Sequence, residues 1–105
     1  MTKLIIQTQC FENYAWDENG NLGTGKNAYW KAKGGSDYVI KNVDECDMIE
    51  IIVDRVRSKI EVSNDLFEEY IIGWAVVPDD YLTPFERDQL EYDGTIAYPA
   101  TEVEI

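Results

Sequence analysis

From Leu4 to Tyr14 the side chains alternate, with Leu4, Ile6, Thr8 and Cys10 on one side of an extended chain and Ile5, Gln7 and Gln9 on the other. Such period-two patterning predicts an early, half-buried strand. The pattern then dissolves: Asp17 to Asn27 is dense in Gly and Asn, residues that accept positive φ at little cost, and predicts a loop. A second strand is expected from Ala28 to Lys33, a turn or bulge at Gly34-Gly35-Ser36, and a third strand from Asp37 to Lys41.

The periodicity next changes to that of a helix. Asn42 precedes Asp44 and Glu45 in an N-cap pattern, and apolar residues recur at Cys46, Ile49, Val53, Val56 and Ile60. A main helix is therefore predicted over about residues 43–60, with acids at its start and Arg55, Arg57 and Lys59 at its end to complement the helix dipole. Ser63 to Tyr70 suggests a short helical turn, and the near-continuous apolar run Ile71 to Val77, closed by Pro78, suggests a central and most buried strand. Thr83-Pro84-Phe85-Glu86 supplies a cap, a proline at the first helical position and a glutamate at the third, opening a short helix over about 84–92 that Asp93-Gly94 closes. Thr95 to Tyr98 is expected as a last edge strand before Pro99, and the tail Thr101 to Ile105 is expected to fray. The order β, β, β, α, β, α, β predicts an α+β fold: one small, mainly antiparallel sheet with both helices packed on one face.

Composition fits this picture. The 105 residues suit one domain, and 45% hydrophobic content with three Trp and seven Tyr exceeds what an acidic disordered segment carries. No apolar run is long enough to cross a bilayer, and the opening residues Met1 to Gln7 lack a signal-peptide pattern, so a cytoplasmic location is expected. Cys10 and Cys46 are widely separated and sit in apolar patterns, which predicts two buried thiols in a reducing compartment.

Histidine is absent, which removes the commonest general acid/base, transition-metal ligand and neutral-pH switch together. Ser-His-Asp and Cys-His nucleophile pairs are excluded, and the chain is expected not to be an enzyme. Charge is lopsided. Through Val43 four acids meet five lysines, for a net of +1, whereas from Asp44 onward 17 acids meet four bases, for a net of −13. A field of that sign repels nucleic acid and anionic membrane and draws in basic protein surfaces, although the same charge also serves solubility.

Three patterns invite chemistry. Gly20 to Lys26 has the spacing of a phosphate-binding loop, but Asn27 stands where Ser or Thr would reach magnesium, and Tyr29 to Lys33 reads as strand rather than helix. Asp17, Asn19 and Asn21 match the first three ligand positions of a calcium loop, yet Leu22 occupies the obligatory Gly position and Ala28 replaces the final Glu. Acid pairs such as Asp79-Asp80 or Glu86 with Asp88 could hold magnesium or act as acid and base, but no spacing singles one out. No cofactor and no metal site are expected.

Taken as a surface, the acids say more. Asp47, Glu50 and Asp54, three and four apart, fall on one stripe of the main helix beside its core face, and Glu61, Asp65, Glu68 and Glu69 extend the set. Carboxylates held in a row on a rigid domain can imitate the phosphate track of duplex DNA and occupy a basic groove. The alternative is a plain solvated helix face. Tyr14, Trp16, Tyr29 and Trp30 flank the Gly-rich loop, and Trp16 and Trp30 could anchor a partner or serve as cross-strand packing.

The run Gln7-Thr8-Gln9-Cys10-Phe11-Glu12-Asn13-Tyr14, followed by Tyr29-Trp30-Lys31-Ala32-Lys33-Gly34-Gly35-Ser36, resembles short uncharacterised proteins of tailed bacteriophages over about the first forty residues. The resemblance implies expression in the cytoplasm of an infected bacterium. With the charge distribution it leads to the expectation of a non-enzymatic inhibitor whose partner is a host nucleic-acid-binding protein with a basic surface, belonging to defence or transcription, with no direct nucleic acid and no membrane. A small metal- or nucleotide-binding enzyme and an accessory docking module are the alternatives.

Overall fold

The computed structural model describes the whole chain, Met1–Ile105, as an elongated slab of 54 × 36 × 17 Å. Its spine is a ribbon of two 12-residue strands, β1 (Thr2–Asn13) and β5 (Phe67–Pro78), paired antiparallel from Thr2↔Pro78 to Glu12↔Phe67 with a bulge at Gln7/Thr8. Strands β2 (Trp30–Ala32) and β3 (Asp37–Lys41) share the other side of β1, both antiparallel to it. Two short strands complete the sheet: β4 (Val62–Ser63) lies antiparallel on β5, and β6 (Thr101–Glu102) lies parallel on β3. The order β4-β5-β1-β3-β6 gives the expected α+β fold with a mainly antiparallel sheet.

Alternation along β1 decides where the core forms. Leu4 and Ile6 with Ile40 of β3 make one buried face, and helix α1 (Ile49–Ile60) covers it with Val53, Val56 and Ile60, while Val43 seals the approach. These seven side chains are at most 2% exposed, the cooperative heart of the molecule.

Helix α2 (Pro84–Asp93) begins at the residues expected and carries the full capping box between Thr83 and Glu86, with Gly94 in the left-handed conformation as its C-cap. It does not share a face with α1, which corrects the expectation of both helices on one face. The Asp37 carboxylate accepts both from Gln7 Nε2 (3.3 Å) and from the Phe85 amide (3.0 Å), so the first turn of α2 meets the face that carries Ile5 and Gln7, opposite the α1 face. The Phe85 amide on Asp37 and the Ala100 amide on Glu86 hold the helix on that side.

Other expectations need correction. Helix α1 starts at Ile49, not near residue 43: Asn42 takes φ 59°, and the Asp47 carboxylate accepts the Asp44 amide while the Asp47 amide donates back to the Asp44 carbonyl, closing a turn ahead of the helix. Cys46 therefore lies exposed in that turn, and only Cys10 is buried. Ser63 to Tyr70 is not a helical turn but the β4–β5 hairpin, because Asn64 Oδ1 accepts from the amides of Leu66 (2.9 Å) and Phe67 (2.8 Å). β5 is not the most buried strand, since β1 is central and Ile72 and Trp74 stand 65% and 41% exposed.

Thr95 to Tyr98 forms no strand. The amide and carbonyl of Tyr98 are both held by the Gln89 side chain, at 2.7 and 2.6 Å, which fastens the segment to α2 instead of a sheet edge. The tail beyond it is tied rather than frayed, through β6, through the Val103 amide to the Val39 carbonyl (2.9 Å) and through Lys59 Nζ to the Glu104 carbonyl (2.6 Å).

Candidate functional site

The exposed acids gather along the outer side of α1 and the turn before it. Asp44, Glu45 and Asp47 stand on the turn, and Glu50 and Asp54 project from the helix one turn apart, beside the stripe that buries Val53 and Val56. Asp47 is thus brought near the helical pair but not as part of one helical stripe. Only Asp54 among these five meets a cation, Arg57 at 3.4 Å, and Arg57 reaches on to Glu61 at 3.3 Å. Glu61 is committed inward: its carboxylate also accepts the Ile71 amide at 2.9 Å, joining the end of α1 to β5.

The remaining acids of the expected set divide. Asp65 is exposed at the tip of the β4–β5 hairpin, and Glu68 is half-buried with Ser63 Oγ at 3.5 Å. Glu69 is withdrawn from the surface, at 7% exposure, which corrects its place among the partner-binding residues. Its register opposite Cys10 turns it to the α1 side of the sheet, where it accepts from the hydroxyls of Thr8 (2.6 Å) and Tyr38 (2.9 Å). Burial and the neighbouring Glu69 push the Cys10 thiol up, and burial with the same carboxylate pushes the Tyr38 hydroxyl up to about 12. This is a fully hydrogen-bonded structural cluster.

The Gly-rich loop is a folded turn. Asp17 Oδ1 accepts the amides of Asn19 (2.9 Å) and Asn21 (2.8 Å), which hold that carboxyl below its usual range, and Trp16 bridges Leu22 across the loop. Oxygen Oδ1 that would lead a calcium site is thereby spent on the backbone. A single turn of 3-10 helix at Gly25–Asn27 replaces the long helix that a phosphate loop would need, and β2 follows it antiparallel to β1. No three His, Cys, Asp or Glu side chains converge as a metal ion would require.

Sequence reasoning missed the residue that organises this loop. Asn13, 2% exposed, donates from Nδ2 to the carbonyls of Gly23 and Asp65, both at 2.8 Å, and accepts the amides of Ala15 (3.0 Å) and Tyr29 (3.1 Å) at Oδ1. One buried amide thus pins three loops, and it leaves Trp16 55% exposed on the loop while Trp30 is half-buried at the start of β2. Trp16 and Trp30 therefore differ in role: only Trp16 offers a large face.

The largest concavity, about 540 Å³, lies at the other end of the sheet among Lys3, Lys41, Asn42, Asp79, Glu86 and Glu102. Its charges serve one another. Lys41 meets Glu102 at 3.4 Å, and Glu86 accepts from the amides of Thr83 (3.1 Å) and Ala100 (3.2 Å). Burial would raise the Glu86 carboxyl, but these amides, the Thr83 hydroxyl and Lys3 outweigh it and hold the group below its usual range. Part of the charge that lines this cavity is thus already committed to the fold, Lys41 to Glu102 and Glu86 to backbone amides.

No protein-family model matches this chain, and no curated protein or solved structure is significantly similar to it.

Proposed function

We propose that the protein is a non-enzymatic inhibitor of the kind tailed bacteriophages encode, which binds a basic, nucleic-acid-handling surface of a host defence or transcription protein. The observation that carries the reading is the run of exposed carboxylates at Asp44, Glu45, Asp47, Glu50 and Asp54, of which four have no cation beside them. Negative charge left uncompensated on a rigid element lowers the stability of the isolated protein and raises its association rate with a basic surface. In the DNA-mimic form of the proposal, these side chains take the places of backbone phosphates in the partner's groove.

The test is capture from bacterial lysate with the wild-type protein and with the triple variant Asp47→Lys, Glu50→Lys, Asp54→Lys. A DNA- or RNA-handling protein should be retained by the wild type, released by high salt, displaced by duplex DNA and lost with the variant. A partner that survives high salt and the charge reversal would refute the helix-face reading. It would favour docking through Trp16, whose exposure supports an accessory module as the second reading.

A further inference from the structure

The two long strands that form the spine are unequal at their edges. On the β1 side the sheet continues through β3 to β6, whereas β5 is covered on its outer side only where β4 pairs, at Val62↔Glu69 and Ser63↔Glu68. Two residues further, the Ile71 amide is taken by the Glu61 carboxylate at 2.9 Å. From Ile72 to Pro78 no strand lies on that edge.

Ladder phase determines which groups it presents. The Asp79 amide donates to the Met1 carbonyl at 3.2 Å, so in the antiparallel pairing with β1 alternate residues Val77, Ala75 and Gly73 turn their peptide groups toward β1. Trp74 and Val76 turn theirs outward. An unpaired edge of this kind is a template for another strand, and proteins ordinarily blunt it with a charge or a proline inside the open stretch. Here none intervenes: Ile71 to Val77 holds no charged residue, and Pro78 stands only at its end. Ile72 and Trp74 add exposed apolar surface beside it.

Charge at the two ends selects the occupant. Glu61, shared with Arg57, stands at one end with Glu68 behind it under β4, and Asp79 with Asp80 stands beyond the other. A second copy laid antiparallel on the edge would bring Asp79 and Asp80 of each molecule against the Glu68 end of its twin, a repulsive arrangement at both ends. A segment with an apolar core and basic flanks meets opposite charge at both. We infer that the outer edge of β5 receives an extended strand from the partner, with β-branched or apolar residues opposite Trp74 and Val76 and Lys or Arg at each end. The inference rests on the proposal of a basic protein partner and adds the backbone pairing by which it is gripped.

The probe is a short synthetic peptide with an alternating Val-Thr core and two lysines at each end, compared with the same core flanked by glutamates, using the full-length protein. The lysine-flanked peptide should bind about tenfold more tightly than its glutamate counterpart and slow hydrogen exchange at the amides of Trp74 and Val76. Val76→Pro, which deletes one outward donor and leaves the inward-facing amides of Ala75 and Val77 in place, should abolish binding while the amides of Leu4 and Ile6 stay protected. Should that variant unfold, Glu68→Gln with Asp79→Asn and Asp80→Asn replaces it and should erase the preference between the peptides. Equal binding of both peptides, no binding of either, or protection of the same two amides by self-association alone would overturn the inference. If salt-labile capture through α1 stands while the peptide fails, the edge falls alone; if the peptide binds while capture ignores the charge reversal, the edge stands and the helix face falls.

Discussion

Helices α1 and α2 attach to the same sheet by different forces. α1 inserts Val53, Val56 and Ile60 into the layer of Leu4, Ile6 and Ile40, so it is held by area removed from water. α2 buries only Gln89 and is moored by polar groups: its capping box, the Asp37 carboxylate on the Phe85 amide, Glu86 on Ala100, and Gln89 on Tyr98. Apolar burial is spread over the whole core and fails all at once, whereas hydrogen bonds at one end fail locally and one at a time. A helix of the first kind can carry uncompensated charge on its outer side, since its attachment does not depend on that side.

The contrast can be broken most directly in the core. Ile60→Ala should cost about 2–5 kcal/mol and lower the denaturation midpoint of the whole molecule, and a loss confined to α1 would show the two helices to be less distinct than described. Gln89→Ala leaves the peptide groups of Tyr98 without partners and should cost about 1–3 kcal/mol, read by hydrogen exchange as opening of residues 84–100 with β1 still protected. Thr83→Ala removes one half of the capping box and should cost about 1 kcal/mol in the same assay.

Acid sharpens the same comparison. The Glu86 carboxyl lies below its usual range in the folded chain, so it stabilises fully above the ordinary glutamate pKa of about 4.3, and that contribution is lost as pH falls through the lower folded value. α2 should consequently loosen in acid before the α1 core does, followed by the exchange of Ala100 and Thr83 amides. The smallest effect is expected on the outer side of α1: Asp54→Asn breaks one exposed ion pair with Arg57 and should change stability by less than about 0.5 kcal/mol.

Sequence patterns exposed α2 almost to the residue, because proline, capping threonine, glutamate and the closing glycine are all local signals. β1 and β3 were legible for the same reason, through alternation. Elements decided by distant partners were not. Ser63 to Tyr70 contains residues that suit a helix, yet pairing with β1 makes Phe67 to Tyr70 strand and Asn64 makes the turn. The bulge at Gln7/Thr8 shifts β5 against β1, and only with that register does the buried position of Glu69 become visible. Asn13 gives no sequence signal at all, since its four bonds join segments up to 52 residues apart. Of the expected site, the charged character of α1 was legible, but the open edge of β5 was hidden, because an apolar run looks alike whether a strand covers it or not.

The central claim is that carboxylates on α1 and the turn before it bind a basic protein surface, and the most direct measurement is the affinity for the purified captured partner as a function of salt concentration. Affinity should fall steeply with salt for the wild type, and the Asp47→Lys, Glu50→Lys, Asp54→Lys variant should bind weakly at every concentration. An affinity that stays level with salt and is unchanged in the variant would contradict the account.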